Sequence, residues 1–185
     1  MRFKDIEQFT RMGTYQINVS LPYLKSAIED YKETYNLQMN PDFQRGNVWT
    51  REQKIAYVEF FLKGGKTART IYFNCPAFGR LDPKTDIPDM VLVDGLQRLT
   101  AMLDFLDNKL PIFGDNYFKD FEDSPRMVGN DFLFNVNDLQ YRRDVLKWYI
   151  DMNSGGTVHS TEEIQRVQSL LDEEINKDKE DLCYE

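Results

Sequence analysis

The segment Val91–Thr100 constrains the fold most, because it specifies a strand, a tight turn and a helix in succession. It opens with the apolar run Val-Leu-Val, which is typical of a buried strand. Asp94-Gly95 is a common turn dipeptide, and apolar residues then recur at helical spacing from Leu99 to Leu106. The free N–H groups at the start of a helix carry partial positive charge, so this turn suits a phosphate or another anion.

Composition predicts one folded domain in the cytoplasm. The 185 residues are 41% hydrophobic and 14% aromatic, which suits a single domain with a sizeable core. No apolar run approaches the roughly 20 residues of a membrane-spanning helix, so we expect no membrane partner. Cys75 and Cys183 lie far apart and no signal peptide is evident, a pattern typical of a reduced cytoplasmic protein. The single histidine, His159, excludes a metal site with several histidine ligands.

The negative charge is concentrated near the C-terminus. The formal net charge is -8, but residues 172–185 alone contain seven acidic residues and two lysines. The rest of the chain is therefore closer to neutral. The overall balance disfavours strong nonspecific binding to DNA, whereas a local basic face on the body stays open.

Hydrophobic periodicity and capping signals predict a single α+β domain. Strands are expected at 15–19, 69–74, 90–93 and 131–136, with a shorter one at 110–112. Helices are expected after Ser20, after the capping box Thr50–Gln53, at 97–108, from about Asp138, and after the capping box Ser160–Glu163. This interleaving of short strands with helices is typical of an α+β fold.

Three polar clusters stand out, and a fold that brought them together would form a polar pocket. They are PDFQRGNVW at 41–49, VDGLQRLT at 93–100 and NSGGTVHSTEEI at 153–164. In this order and spacing they resemble the N-terminal domain of the GmrSD-type, modification-dependent restriction proteins and of the related SspE-type phage-defence proteins. That family is placed in the ParB/sulfiredoxin-like superfamily.

The resemblance implies a ParB/sulfiredoxin-like domain at residues 14–176, with a small mixed sheet flanked by helices. Residues 1–13 would then be an N-terminal arm and 177–185 an acidic tail. It also implies binding of a nucleoside triphosphate, and NTP hydrolysis that serves phage–host conflict, restriction or DNA maintenance. Leu96 departs from the commoner motif, which has Gln there. With a single histidine, the chain is not expected to contain the family's second, histidine-dependent nuclease domain.

The VDGLQRLT cluster supplies the residues that the resemblance makes catalytic: Asp94, Gln97 and Arg98. Asp94 would orient a water or hold Mg²⁺, Gln97 would position it, and Gly95 and Arg98 would contact phosphate. An arginine at a helix N-terminus opposes the helix dipole at a cost of a few tenths of a kcal/mol, roughly, unless an anion compensates. The structural alternatives are that Asp94 forms only the turn, and that Arg98 pairs with Asp94 or Asp42.

The other two clusters supply further candidate contacts to nucleotide or phosphate. Gln44 and Arg45 lie between aromatic residues, where they would contact phosphate or stack on a base, or where Arg45 would instead pair with an acidic residue and anchor the segment. Asn153, Gly155 and Gly156 would close over the ligand as a backbone nest, or would simply end one helix before the next begins. The metal ligands stay unknown, with Mg²⁺ as the candidate cofactor.

Two other functions remain open at this point. The domain would be a non-catalytic adaptor for DNA or protein, or a ParB-like nuclease that nicks DNA. The acidic balance disfavours the nuclease, and no second acidic cluster lies near Asp94 for a two-metal site. Partners under the leading hypothesis are a nucleoside triphosphate, DNA, and a separate nuclease or other protein chain.

Overall fold

The computed structural model describes residues 1–6, 15–46, 48–78, 85–154 and 161–181. Within these ranges it has four strands: β1 (Tyr15–Ser20), β2 (Thr70–Asn74), β3 (Val91–Asp94) and β4 (Asp131–Asn137). The α-helices of the same ranges are α1 (Leu21–Tyr35), α2 (Arg51–Leu62), α3 (Leu96–Leu106), α4 (Arg142–Ser154) and α5 (Thr161–Asp181). Short 3₁₀ helices occupy Phe3–Asp5, Phe118–Asp120 and Pro125–Val128. The predicted α+β class is confirmed.

The strands form one mixed sheet in the order β1-β4-β2-β3. β1 pairs antiparallel with β4, β4 pairs parallel with β2, and β2 pairs antiparallel with β3. The β2–β3 register shifts between Tyr72 and Phe73. Because β3 leads directly through Gly95 into α3, the end of this strand places Asp94 at the start of a helix.

Each face of the sheet carries its own hydrophobic core, since neighbouring side chains of a strand point to opposite faces. The larger core contains Leu92 of β3 together with buried residues of α1, α2 and α3. The smaller core contains Val91 and Val93 of the same strand, with Phe43 and buried residues of α4 and α5. β3 is therefore covered on both faces, which explains why its sequence is a continuous apolar run rather than an alternating one.

Most helix starts that were predicted from capping signals are found in the structure. Thr50 and Gln53 form the predicted reciprocal capping box at the start of α2. Ser20 is the N-cap residue of α1, although its side chain makes no capping hydrogen bond. The predicted cap at Ser160 lies outside the described residues. α5 extends to Asp181, past the expected domain end at 176.

Two local predictions are wrong. Residues 110–112 do not form a strand, because Pro111 has no N–H to donate and the pairing is limited to one bridge between Ile112 and Asn116. α4 begins at Arg142 rather than near Asp138. The Asn74 amide bonds both the N–H and the C=O of Leu139, at 2.9 and 3.0 Å, so this residue's backbone groups are already bonded outside the helix.

Candidate functional site

The three polar clusters meet in one pocket with a volume of about 450 Å³. It lies where the end of β3 and the start of α3 face the Pro41–Trp49 segment and the end of α4. The lining residues are Gln44, Arg45, Trp49, Asp94, Gly95, Leu96, Gln97, Arg98, Met152 and Asn153. Of the predicted site residues, Gly155 and Gly156 lie outside the described residues, and all the others line this pocket.

Gly95 makes the sharp turn between β3 and α3, and its backbone conformation favours glycine. Its φ is 108°, in the left-handed region that L side chains rarely adopt. A Cβ at this position would lie 2.6 Å from Cδ1 of Ile71, so the space is filled as well. The turn therefore brings backbone close to the pocket at the N-terminus of α3.

Asp94 and Arg98 face each other across this turn. Nη2 of Arg98 donates a hydrogen bond to Oδ2 of Asp94. Arg98 is the third residue of α3, where the helix dipole is unfavourable to a cation and the carboxylate compensates. The Nε of Arg98 is buried without a hydrogen-bond partner among the described residues. Of the two acids considered for Arg98, Asp94 is the partner, because Asp42 pairs with Arg142 at 2.8 Å.

Gln97 joins two of the motifs to each other. Its Oε1 accepts hydrogen bonds from the backbone N–H groups of Val48 and Trp49, both at 3.0 Å. Its Nε2 donates to the carbonyl of Gly46 at 2.6 Å. The amide thus holds the segment at 41–49 against the start of α3, whereas its expected role in positioning a water or a magnesium ion stays a prediction.

Gln44 and Arg45 differ in what they offer to the pocket. Nε2 of Gln44 donates to the carbonyls of Leu92 and Val93, at 3.0 and 2.7 Å, so this amide anchors the segment to β3. Nη1 of Arg45 lies 3.6 Å from Oε2 of Glu163, and the arginine side chain is 37% exposed. Arg45 is therefore paired with an acidic residue, which is the structural alternative given for it above. Its exposed part still offers positive charge to the pocket.

Glu163, Tyr149 and Arg166 support the pocket and were not singled out for it from the sequence. The Tyr149 hydroxyl donates to Oε1 of Glu163 at 2.9 Å, and burial, reinforced by this bond, raises the pKa of the tyrosine. Arg166 donates to the carbonyls of Asp42 and Phe43, at 2.8 and 2.7 Å. The helical spacing of these residues gave no signal for such long-range bonds.

The end of α4 closes the pocket with polar and apolar groups. Nδ2 of Asn153 donates to the carbonyl of Tyr149 at 2.7 Å, and Met152 lies beside it in the wall. Trp49 packs against Tyr57 with ring centroids 5.4 Å apart. This tryptophan thus both packs on the core and lines the pocket.

The described residues contain no group of three or more histidine, cysteine, aspartate or glutamate side chains that could by itself hold a metal ion. Asp94 is the sole acidic residue among the described residues that line the pocket. A metal ion at Asp94 would therefore need further oxygen ligands from a bound substrate or from water.

The sequence model of the family described as "GmrSD restriction endonuclease, N-terminal domain" matches residues 24–180. The chain belongs to this family. Membership associates the GmrSD-type domain described here with DNA restriction and phage defence. No match was found among curated proteins or among solved structures. Among the described residues, no helix is both long and apolar enough to cross a membrane.

Proposed function

We propose that this GmrSD-type domain binds and hydrolyses a nucleoside triphosphate at the pocket between β3, α3 and α4. One observation carries the proposal: two arginines, a carboxylate and a glycine turn from separate motifs face one cavity at a helix N-terminus. Its volume of about 450 Å³ falls in the range of ligand sites, which is roughly 300–1,000 Å³. A helix N-terminus with arginines beside it is suited to phosphate.

In this proposal Arg45 and Arg98 neutralise the charge of the phosphates, which builds up on the oxygens during phosphoryl transfer. Asp94 orients the attacking water or contacts a bound cation. Gln97 acts through the segment that it holds, because its amide bonds the backbone of Gly46, Val48 and Trp49. The single carboxylate fits Mg²⁺, which proteins often hold by one or two carboxylates and the substrate's phosphates. When bound, this cation would supply further charge neutralisation.

Family membership supports DNA as the macromolecular partner of this domain. In the proposed role, nucleotide turnover in this chain controls restriction that a separate nuclease chain carries out. The acidic net charge of -8 argues against strong binding to DNA by the bulk charge alone.

A second candidate is a non-catalytic adaptor for DNA or protein, and one observation favours it. Gln44, Gln97, Arg45 and Arg98 all have protein partners in the structure. Such pairs would stabilise the domain without any ligand. The adaptor predicts salt-dependent DNA binding with no effect of nucleotides, whereas the NTPase predicts stabilisation by a nucleoside triphosphate.

The deciding experiment measures phosphate release from ATP, GTP, CTP and UTP with Mg²⁺. Asp94→Ala and Arg98→Ala are expected to abolish turnover while remaining folded. Asp104→Asn is the matched control, because Asp104 lies on α3, pairs with Lys54 at 2.8 Å and does not line the pocket. Absence of both turnover and a nucleotide-induced thermal shift in the wild type would overturn the proposal and favour the adaptor.

A further inference from the structure

The Asp94–Arg98 ion pair occupies the groups that a metal–nucleotide complex would need. Asp94 is the acidic residue of the lining, and Arg98 is one of its two arginines. Both side chains are accessible in part, with 34% of Asp94 and 21% of Arg98 exposed. Without ligand, each of these two groups therefore satisfies the charge of the other.

The second arginine of the pocket is paired as well. Arg45 lies 3.6 Å from Glu163, whose side chain is only 7% exposed. Each pocket arginine thus faces a carboxylate of the chain itself. A free nucleoside triphosphate carries several negative charges, so its entry would place phosphate oxygens beside the Asp94 carboxylate, and the two arginines would have to balance both the phosphates and the carboxylates with which they already pair.

The bonding of Arg98 indicates that its pairing with Asp94 is not its only favourable arrangement. Nη2 reaches Asp94, whereas Nε is buried without a partner among the described residues. An unmade hydrogen bond at a buried donor costs free energy. A guanidinium that turned its planar edge to a phosphate would recover that bond, because arginine binds phosphate through two parallel N–H groups.

We propose that the Asp94–Arg98 ion pair is a charge-exchange switch through which the pocket prefers the divalent-metal complex of a nucleoside triphosphate to the free nucleotide anion. This inference rests on the proposed nucleotide site. Asp94 turns its carboxylate to the cation, and Arg98 turns its guanidinium to the phosphates. When the cation binds Asp94, Arg98 is released to bind the phosphates, and when the phosphates bind Arg98, Asp94 is released to bind the cation. Binding of the nucleotide and binding of the cation therefore strengthen each other reciprocally.

The test measures binding affinity by isothermal titration calorimetry. The ligands are the β,γ-imido analogues of the four ribonucleoside triphosphates, each titrated with Mg²⁺ or with EDTA. For the wild type, the Mg²⁺ complex of the analogue that binds is expected to bind at least about tenfold more tightly than the free anion. In Asp94→Asn, Arg98 has no charged partner at position 94. Free-anion affinity is then expected to rise about threefold, in line with the loss of a partly exposed ion pair, and the Mg²⁺ preference to disappear.

Asp104→Asn is the control, because it also removes one carboxylate charge and breaks an ion pair, here the pair of Asp104 on α3 with Lys54, outside the pocket. It is expected to keep the wild-type preference for Mg²⁺. Asp94→Ser serves as a second variant if Asp94→Asn lowers the unfolding midpoint, since serine also suits a turn.

The outcomes separate this inference from the proposed function. Equal affinity of the wild type for the free and Mg²⁺-bound analogue would overturn the switch and leave the nucleotide site standing. A Mg²⁺ preference that persists in Asp94→Asn would also overturn it, because the preference would then belong to the nucleotide alone. No binding of any analogue under either condition would contradict both.

Discussion

Gly95 is the residue on which the geometry of the candidate site depends most directly. Its left-handed φ and its close approach to Ile71 both exclude a side chain. Gly95→Ala is expected to lower the free energy of unfolding by about 2–4 kcal/mol, through backbone strain and overpacking together. Denaturant unfolding followed by circular dichroism measures this loss.

Gly64→Ala separates the two causes. Gly64 also has a positive φ, of 85°, but nothing lies within 4 Å of a Cβ built there. Its substitution is expected to cost about 1–2 kcal/mol from the backbone alone. Equal losses for the two variants would contradict the expected contribution of overpacking between an added Cβ at position 95 and Ile71.

Cys75 tests burial at the end of β2. The residue is fully buried, and burial raises the pKa of its thiol to about 11. At pH 8 only about one molecule in a thousand carries the reactive thiolate at this site. Alkylation of Cys75, followed by peptide mass spectrometry, is therefore expected to be slow at pH 8 and faster as pH rises towards 11. Equally rapid labelling in native buffer and in urea would contradict this burial.

Among the elements, α1 and α2 offer a matched test of helix capping. Thr50 accepts a hydrogen bond from the N–H of Gln53, whereas Ser20 caps α1 without a side-chain bond. Thr50→Ala is expected to destabilise the domain by about 1 kcal/mol, and Ser20→Ala by less than about half of that. Thermal unfolding of both variants gives the comparison, and a larger loss for Ser20→Ala would contradict the assignment.

The sequence predicted those elements whose signals are local. The apolar run of β3, the turn at Gly95 and the capping box at Thr50 each depend on residues within a few positions, and all three are confirmed. The expected strand at 110–112 is not formed, because Pro111 cannot donate a backbone hydrogen bond and only one bridge, at Ile112, is present. The start of α4 was missed because it is set by the Asn74 amide, 65 positions away from Leu139.

The candidate site was predictable in its composition and not in its bonding. The motifs indicated Gln44, Gln97 and Arg98 as polar groups of one pocket, and the structure places them there. The hydrogen bonds of Gln44 to Leu92 and of Gln97 to Gly46 link segments about 50 positions apart, and no periodicity encodes such distances. Arg166 and Glu163 belong to the same class of long-range partners.

For the whole molecule, substitution of Arg166 tests whether α5 holds the pocket segment in place. Its guanidinium ties α5 to the carbonyls of Asp42 and Phe43, next to Gln44 and Arg45. Arg166→Met is expected to cost about 1–3 kcal/mol through these lost charged hydrogen bonds. Hydrogen exchange in the peptide that covers 41–46 is expected to become faster. Unchanged exchange there would contradict the role of α5 as a support.

The central claim, that three separated motifs form one nucleoside triphosphate site, is tested most directly by hydrogen exchange with and without Mg²⁺ and a nucleoside triphosphate. We predict simultaneous protection of peptides that cover 41–49, 93–100 and 149–154, and loss of this protection in Arg98→Ala. A second, largely apolar groove lined by Phe105, Phe113 and Phe121 serves as an internal reference. Protection at that groove alone, or at none of the three motifs, would contradict the account.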